Sequence, residues 1–244
     1  MHRYLNSRKE PTVRFLLLYA LFLLANFLAL GAGTKATKKV LQEGPGDARI
    51  SYEESGPPNA AGCLILLHGA SGPGAFYKDQ AVFFGSQGYH VLMPHYFDVA
   101  RSTNASVENY RKWAGIVATF AAECRKVPST ERVFLVGYSL GASVALAFGS
   151  QRGPVDAIAD WYGSLPDAFF EQIKGMPPLL ILHGENDTNI PIVNAKQLVQ
   201  LCDLLRVQCD HHFYPDENHG LSEKAMEDAE QRTLGFFARF MPSK

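Results

Sequence analysis

The sequence has almost no net charge and few cysteines, and each shortage excludes a class of function. The 244 residues carry 23 Lys and Arg against 24 Asp and Glu, a formal net charge of −1. Such a chain has no overall field that attracts nucleic acid, and it shows no basic patch with interleaved aromatic residues. The four cysteines include no CxxC spacing that would indicate a zinc or redox motif. Repeats and low-complexity tracts are also missing. We therefore expect a globular protein with a large core, no nucleic-acid partner, no metal and no cofactor.

The N-terminus differs from the rest of the chain. Basic residues precede FLLLYALFLLANFLALGAG, residues 15–33, which carries no charge. A basic region, an apolar stretch and small residues are typical of a secretory signal, whereas the apolar length is close to the roughly 20 residues that span a bilayer. Residues 1–33 are thus predicted to be a signal peptide or a hydrophobic membrane-anchor helix, and residues 34–244 a single domain. Both interpretations predict an exported protein, either periplasmic or secreted, or attached to the membrane through residues 15–33.

The four cysteines leave their pairing open. Cys63 opens an apolar, strand-like run and Cys124 lies in a helical pattern, so we expect both to be buried free thiols. Cys202 and Cys209 flank a short helix-to-strand connection and could pair in an oxidising compartment. The Cα separation that decides the matter is not visible in a sequence.

Short apolar runs alternate with helical patterns along the remaining chain. The predicted strands are 63–69, 89–95, 132–139, 155–163, 178–184 and 209–215, and the predicted helices are 75–87, 107–126, 140–150, 192–205 and 222–241. Most of these strands are apolar throughout, which is typical of strands covered on both faces. The alternation predicts an α/β fold with a mostly parallel central sheet and helices on both faces. Residues 48–55 (ARISYEES) are expected to add a leading edge strand.

A serine between glycines follows the third of these strands. Gly137-Tyr138-Ser139-Leu140-Gly141 matches G-x-S-x-G, the nucleophile elbow, in which a sharp strand-to-helix turn needs very small neighbours. The turn presents the serine at a helix N-terminus, whose dipole favours developing negative charge. The pattern alone is weak, but its place between an apolar strand and a helix predicts that Ser139 is a nucleophile.

A serine nucleophile requires a base and a group that orients the base. In open parallel sheets, such groups lie beyond the carboxyl ends of the strands. The strand ending near 184 runs into Asp187, and the last strand runs into His219, which gives the chain order serine, acid, histidine. Glu185 and Asp160 are the competing acids. We predict the catalytic residues Ser139, Asp187 and His219.

The loop after the first long strand predicts the oxyanion hole. It reads His68-Gly69-Ala70-Ser71-Gly72, and it lacks the lysine of a phosphate-binding loop. We expect the backbone N–H groups of Ala70 and Leu140 to bind the oxyanion. The aromatic residues Tyr138, Phe97 and Trp161 are predicted to line the substrate site, in an open cleft without a substantial lid.

These features together resemble the α/β-hydrolase superfamily, and in detail its dienelactone hydrolase family. The resemblance covers most of residues 48–241 and lies in HGASGPG, GYHVLMPHYFD, WYG, HGENDTNIP, NHG and AEQRTLGFF. It implies the α/β-hydrolase fold and the triad. Two departures matter: the family's usual nucleophile is cysteine and here it is Ser139, and Glu223 stands four residues after His219, where a substrate-binding arginine is typical. Arg101, which follows PHYFDVA, is a candidate for the family's other substrate-binding arginine, although its offset differs from the family's.

The resulting prediction is a serine hydrolase that cleaves an ester or lactone bond of a small molecule through an acyl-enzyme intermediate. Two alternatives stay open. One is a serine peptidase or amidase of the same fold, and the other is a non-catalytic binding protein that keeps the fold.

Overall fold

The computed structural model describes residues 35–41, 49–100 and 102–242, so the predicted signal or anchor segment and Arg101 lie outside the described residues. The strands are β1 (Thr37–Leu41), β2 (Ile50–Ser55), β3 (Gly62–Leu67), β4 (His90–Pro94), β5 (Arg132–Tyr138), β6 (Ala157–Trp161), β7 (Leu179–Gly184) and β8 (Cys209–Tyr214). The helices are α1 (Ala75–Ser86), α2 (Phe97–Ala100), α3 (Val107–Lys126), α4 (Leu140–Ser150), α5 (Ile192–Leu205) and α6 (Glu223–Ala238), with a 3₁₀ helix at Asp167–Gly175. No helix within these described ranges combines the length and hydropathy of a membrane span.

The strands form one eight-stranded sheet in the order β1-β2-β4-β3-β5-β6-β7-β8. The neighbours from β4 to β8 pair in parallel, and β2 is antiparallel to both β1 and β4. The predicted mostly parallel sheet is confirmed. The predicted leading strand is confirmed at Ile50–Ser55, but its expected place at the edge is wrong, because β1 pairs along the outer side of β2 and takes the edge itself.

Helices cover both faces of the sheet, as the apolar strands predict. In β3, Cys63, Ile65 and Leu67 pack on one face with α3, α4 and α5, while Leu64 and Leu66 pack on the other with α1 and α6. All of these β3 side chains are fully buried. Side chains alternate between faces along a strand, so a run buried on both faces must be apolar throughout.

Two long helices begin at serines that cap them. The Ser106 side chain accepts the backbone N–H of Asn109 at 3.2 Å, and the Ser222 side chain accepts that of Ala225 at 3.4 Å. Each hydroxyl satisfies one N–H that a first helical turn leaves unpaired. The cap at Ser222 starts α6 directly after the loop that carries His219, and thereby fixes where that loop ends.

Both cysteine pairs form disulfides. Cys63 in β3 bonds to Cys124 in α3 with 5.8 Å between their Cα atoms, and Cys202 in α5 bonds to Cys209 in β8. The expectation of free thiols at Cys63 and Cys124 is wrong, because helix packing on the sheet brings together two residues that are 61 apart in sequence.

Candidate active site

The turn between β5 and α4 has a strained backbone at Ser139. Its φ and ψ are 53° and −119°, a positive φ that non-glycine residues rarely adopt, at a cost of about 1–3 kcal/mol. A Cβ on Gly141 would overlap the carbonyl oxygens of Leu67 and His68 at the end of β3. Only glycine therefore lets α4 approach β3 this closely, and the close approach holds the serine at the carboxyl edge of the sheet.

Three side chains from separate strand ends meet at this edge. The Oγ of Ser139 lies 2.9 Å from Nε2 of His219, and Nδ1 of His219 lies 2.8 Å from Oδ2 of Asp187. A carboxylate only accepts hydrogen bonds, so Nδ1 carries the proton and Nε2 is left to accept from the Ser139 hydroxyl. The structure thus brings together the three residues that the sequence predicts as a triad, with Nε2 of His219 placed to accept from the Ser139 hydroxyl.

Asp187 is fully buried and receives hydrogen bonds from several donors. Its Oδ1 accepts the backbone N–H groups of Asn189 and Ile190, both at 2.8 Å. Its Oδ2, which accepts from His219, also lies 3.2 Å from Nε2 of His183. The same Nε2 lies 2.8 Å from the carbonyl oxygen of Ile190, so His183 must carry its proton there. These donors fix the position of the carboxylate.

His183 lies near the end of β7, and its ring contacts the acid. Its ring is fully buried, and burial lowers its pKa, which keeps the ring neutral. Among the described residues, its Nδ1 has no hydrogen-bond partner. A neutral ring with the proton on Nε2 donates to the Ile190 carbonyl and lies beside Asp187 without adding a charge that would compete with His219.

The two competing acids do not reach the histidine. Glu185 is exposed, and its Oε1 lies 3.6 Å from Nζ of Lys196. Asp160 is fully buried at the end of β6, where one carboxylate oxygen accepts the Gly163 N–H at 2.8 Å. Burial raises the pKa of Asp160 to about 7. Neither residue makes a hydrogen bond with His219 within the described part of the chain.

The loop after β3 lies directly beside the serine. His68 is fully buried and stacks on Tyr96 with ring centroids 4.3 Å apart, and the Tyr96 hydroxyl donates to the His68 carbonyl at 2.6 Å. Burial lowers the pKa of His68 to about 4, so the ring is neutral. This packing holds the start of the loop that carries Ala70, the residue predicted to supply one oxyanion N–H. The other predicted donor, Leu140, opens α4, where a first-turn N–H has no partner within the helix.

A cleft of about 430 Å³ opens over the serine. Besides Ser139 and His219, its lining consists of small, aromatic and neutral polar side chains: Ala70, Ser71, Phe76, Tyr77, Tyr162, Asn189, Gly220 and Met226. None of these side chains carries a permanent charge. The described residues also contain no cluster of His, Cys, Asp or Glu that would hold a metal ion.

The structure does not bring the predicted wall residues to this cleft. Tyr138 and Trp161 are fully buried; the Tyr138 hydroxyl donates to Gln80, and Nε1 of Trp161 donates to Thr233. Phe97 packs between the rings of His68 and Trp113, with centroids 4.9 and 5.7 Å apart. Each of the three completes the core below the site, so the expectation that they line it is corrected.

The sequence reasoning missed Tyr162, which does line the cleft. This residue follows Trp161 and has a positive φ of 48°, which turns its ring against His219 at a centroid distance of 4.9 Å. The Trp-Tyr-Gly tripeptide gave a signal, because a glycine after a strand end marks a turn that changes side-chain direction.

The chain is similar to known proteins in sequence and in fold. The family model of the dienelactone hydrolase family matches residues 55–241. A putative carboxymethylenebutenolidase from Salmonella typhimurium is 24% identical over 141 residues, which is 51% of this chain and 52% of that protein. The match thus spans about half the length of this relative.

Solved structures share the fold at low sequence identity. A putative dienelactone hydrolase from Klebsiella pneumoniae has a TM-score of 0.68 and 18% identity, covering 85% of this chain and 99% of its own. A dienelactone hydrolase-like promiscuous phosphotriesterase from metagenomic libraries has a TM-score of 0.70 and 15% identity, covering 85% and 100%. An esterase from Pyrococcus furiosus has a TM-score of 0.69 and 16% identity, covering 88% and 93%. The fold is that of the α/β-hydrolases, and the chain belongs to the dienelactone hydrolase family.

Proposed function

We propose that this hydrolase is a serine esterase that cleaves esters or lactones of small, uncharged molecules through an acyl-enzyme intermediate. The observation that carries the proposal is the continuous hydrogen-bond chain from Ser139 through His219 to Asp187, anchored at a strained elbow. Membership of a hydrolase family supports the reaction class, and this geometry supports Ser139 as the nucleophile. Hydrogen-bond contact between nucleophile, base and orienting group is the signature of an activated serine.

The proposed reaction has two halves. In the first, Oγ of Ser139 attacks the ester carbonyl while Nε2 of His219 takes its proton, and the same proton then goes to the departing alcohol. In the second, water attacks the acyl-enzyme, His219 accepts a proton from that water, and Ser139 recovers it as the acid leaves. Throughout, Asp187 holds Nδ1 and stabilises the charged imidazole.

The oxyanion is proposed to lie between the N–H groups of Leu140 and Ala70. Support comes from the helix start at Leu140 and from the position of Ala70 in the cleft beside Ser139. Each donor of this kind contributes about 3 kcal/mol to the transition state.

The cleft lining indicates the charge of the substrate. No Lys or Arg lines the cleft among the described residues, and its walls are aromatic or neutral. A substrate carboxylate would find no cationic partner among these described lining residues, and desolvating it unpaired costs several kcal/mol. Glu223, at the position where the family's arginine is typical, cannot supply that partner. The proposed substrates are therefore neutral, unlike carboxylated lactones.

We further propose that the hydrolase domain, residues 34–244, works outside the cytosol, with residues 1–33 as signal or anchor. The basic and apolar pattern of the N-terminus supports this, as do the two disulfides, because such bonds persist in oxidising compartments. Detection of the protein in the soluble periplasmic or medium fraction, or in the membrane fraction, would distinguish cleavage from anchoring. Recovery in the cytosol would contradict both.

A paired ester panel tests the proposed activity. The purified chain is assayed with p-nitrophenyl acetate, butyrate and octanoate and with the mono-p-nitrophenyl ester of succinate, alongside Ser139→Ala. We expect turnover of the neutral esters, a preference of about 10-fold or more over the succinate ester, and no turnover by the variant. Cleavage of peptide amides without esters would favour the peptidase alternative, and a folded but wholly inactive protein would favour a binding role.

A further inference from the structure

One hydroxyl lies against the proposed oxyanion site and has no part in the triad. It belongs to Tyr77 in α1, which lines the cleft together with Ser139 and Ala70. A Cβ placed on Gly69, the residue before Ala70, would lie 2.5 Å from the Tyr77 hydroxyl oxygen and 3.5 Å from Cβ of Ser139. The hydroxyl and the nucleophile therefore flank the same point of the loop. The phenol takes the space that a side chain at position 69 would need.

The Tyr77 hydroxyl differs from three other tyrosine hydroxyls that have hydrogen-bond partners. Tyr96 donates to the His68 carbonyl, Tyr138 to Gln80 and Tyr214 to Asp228, at 2.6, 2.7 and 2.9 Å. Within the described part of the chain, the hydroxyl of Tyr77 makes no hydrogen bond. Tyrosine hydroxyls that lose water normally have a partner. When a ligand fills the cleft, the available partner is the ligand itself.

The ring that carries this hydroxyl is held in place. It packs edge-on against Phe76 and Tyr138, with centroids 5.0 and 5.7 Å away, and at a tilt against His68 at 6.1 Å. A ring fixed by three aromatic neighbours presents its hydroxyl in one direction. Donors fixed before the reaction stabilise a transition state without the cost of reorganising during it.

We infer that the Tyr77 hydroxyl is a third oxyanion donor and thus a catalytic residue of this enzyme, an inference that rests on the proposed serine mechanism. As Oγ of Ser139 bonds to the carbonyl carbon, the C=O π electrons move onto the oxygen. The phenol donates a hydrogen bond to that oxygen and keeps its proton. When the tetrahedral intermediate collapses, the electrons return to the carbonyl, the leaving alkoxide takes its proton from His219, and the phenol is unchanged.

The test is Tyr77→Phe, which removes the hydroxyl and keeps the ring. We expect kcat on p-nitrophenyl butyrate to fall by about 10- to 100-fold, with KM changed by less than about 3-fold. A trifluoromethyl ketone, which forms a hemiketal with Ser139, should bind more weakly by a similar factor. In a Ser139→Ala background, Tyr77→Phe should leave the Kd of the intact ester unchanged. Tyr52→Phe, on β2 and away from the cleft, is the matched control and should leave kcat unchanged.

A double-mutant cycle with Gly69→Ala tests the position of the hydroxyl. In the wild-type background, the methyl added by Gly69→Ala displaces the Tyr77 hydroxyl. In Tyr77→Phe there is no hydroxyl to displace, so the decreases in kcat caused by the two single substitutions should not add in the double variant. A Tyr77→Phe enzyme with wild-type kcat, or with its loss confined to KM, would overturn the inference while leaving the proposed function intact. Turnover retained by Ser139→Ala would instead overturn the proposed function.

Discussion

Replacing Asp187 with asparagine puts a hydrogen-bond donor, the NH₂ group, at a site where all the neighbouring groups are also donors. Oδ1 accepts from the backbone of Asn189 and Ile190, and Oδ2 from His219, with His183 3.2 Å away. If the asparagine oxygen keeps the two backbone N–H groups, its NH₂ faces His219. The imidazole must then move its proton to Nε2 to accept from the amide, and Nε2 can no longer take the proton of the serine.

The expected consequences of Asp187→Asn are large in both activity and stability. A triad histidine held in the wrong tautomer lowers kcat by about 10⁴-fold. The loss of at least one charge-assisted hydrogen bond in a fully buried site should lower the free energy of unfolding by about 1.5–3 kcal/mol. Ester turnover and urea unfolding measure the two effects, and Glu185→Gln, an exposed neighbour, is the control. If Asp187→Asn kept more than about a tenth of wild-type kcat, the assignment of the acid and its tautomer role would be refuted.

Three further changes probe the elbow, the buried acid and a disulfide. Gly141→Ala forces a methyl against the Leu67 carbonyl and should lower the free energy of unfolding by about 3 kcal/mol, measured in urea; wild-type stability would show that the close approach is not required. Asp160 has a pKa of about 7 when folded against 3.8 ordinarily, so the folded state holds a proton that the unfolded chain releases, and stability falls as pH rises from 3.8 to 7. Asp160→Asn lacks this titrating group, so its stability should not fall in this way. The free energy of unfolding of the variant minus that of the wild type, measured by urea titration, should therefore rise by up to about 4 kcal/mol between pH 4 and 8. If this difference did not change with pH, the raised pKa would be contradicted. Replacing Cys202 and Cys209 with serine opens a short loop and should cost about 2–3 kcal/mol in thermal unfolding with kcat unchanged; an unaltered midpoint would argue against the bond.

The alternation of elements and the chain order of Ser139, Asp187 and His219 were visible in the sequence for a physical reason. Strands covered on both faces must be apolar, and polar chemistry then accumulates at their carboxyl ends. Residues that follow such strands in the order of an α/β-hydrolase can therefore be predicted from the sequence. The outer strand β1 could not be predicted, because its TKKVL segment is almost wholly exposed and has no apolar pattern.

Side-chain direction at the strand ends was not predictable in the same way. Trp161 and Tyr162 are neighbours, yet the first points into the core and the second into the cleft, because a positive φ at Tyr162 reverses the chain. The contact of His183 with Asp187 likewise depends on a turn four residues long. The pairing of Cys63 with Cys124 depends on helix packing, which apolar periodicity does not specify.

The most direct test of the account is covalent labelling of the folded protein with a fluorophosphonate, read by intact mass and peptide mapping. We predict one adduct, on Ser139, formed in step with the loss of esterase activity and absent from Ser139→Ala. His219→Ala should form it far more slowly, because the serine then has no base to take its proton. Labelling at another residue, or full esterase activity with no label on Ser139, would contradict the claim that Ser139 is the nucleophile.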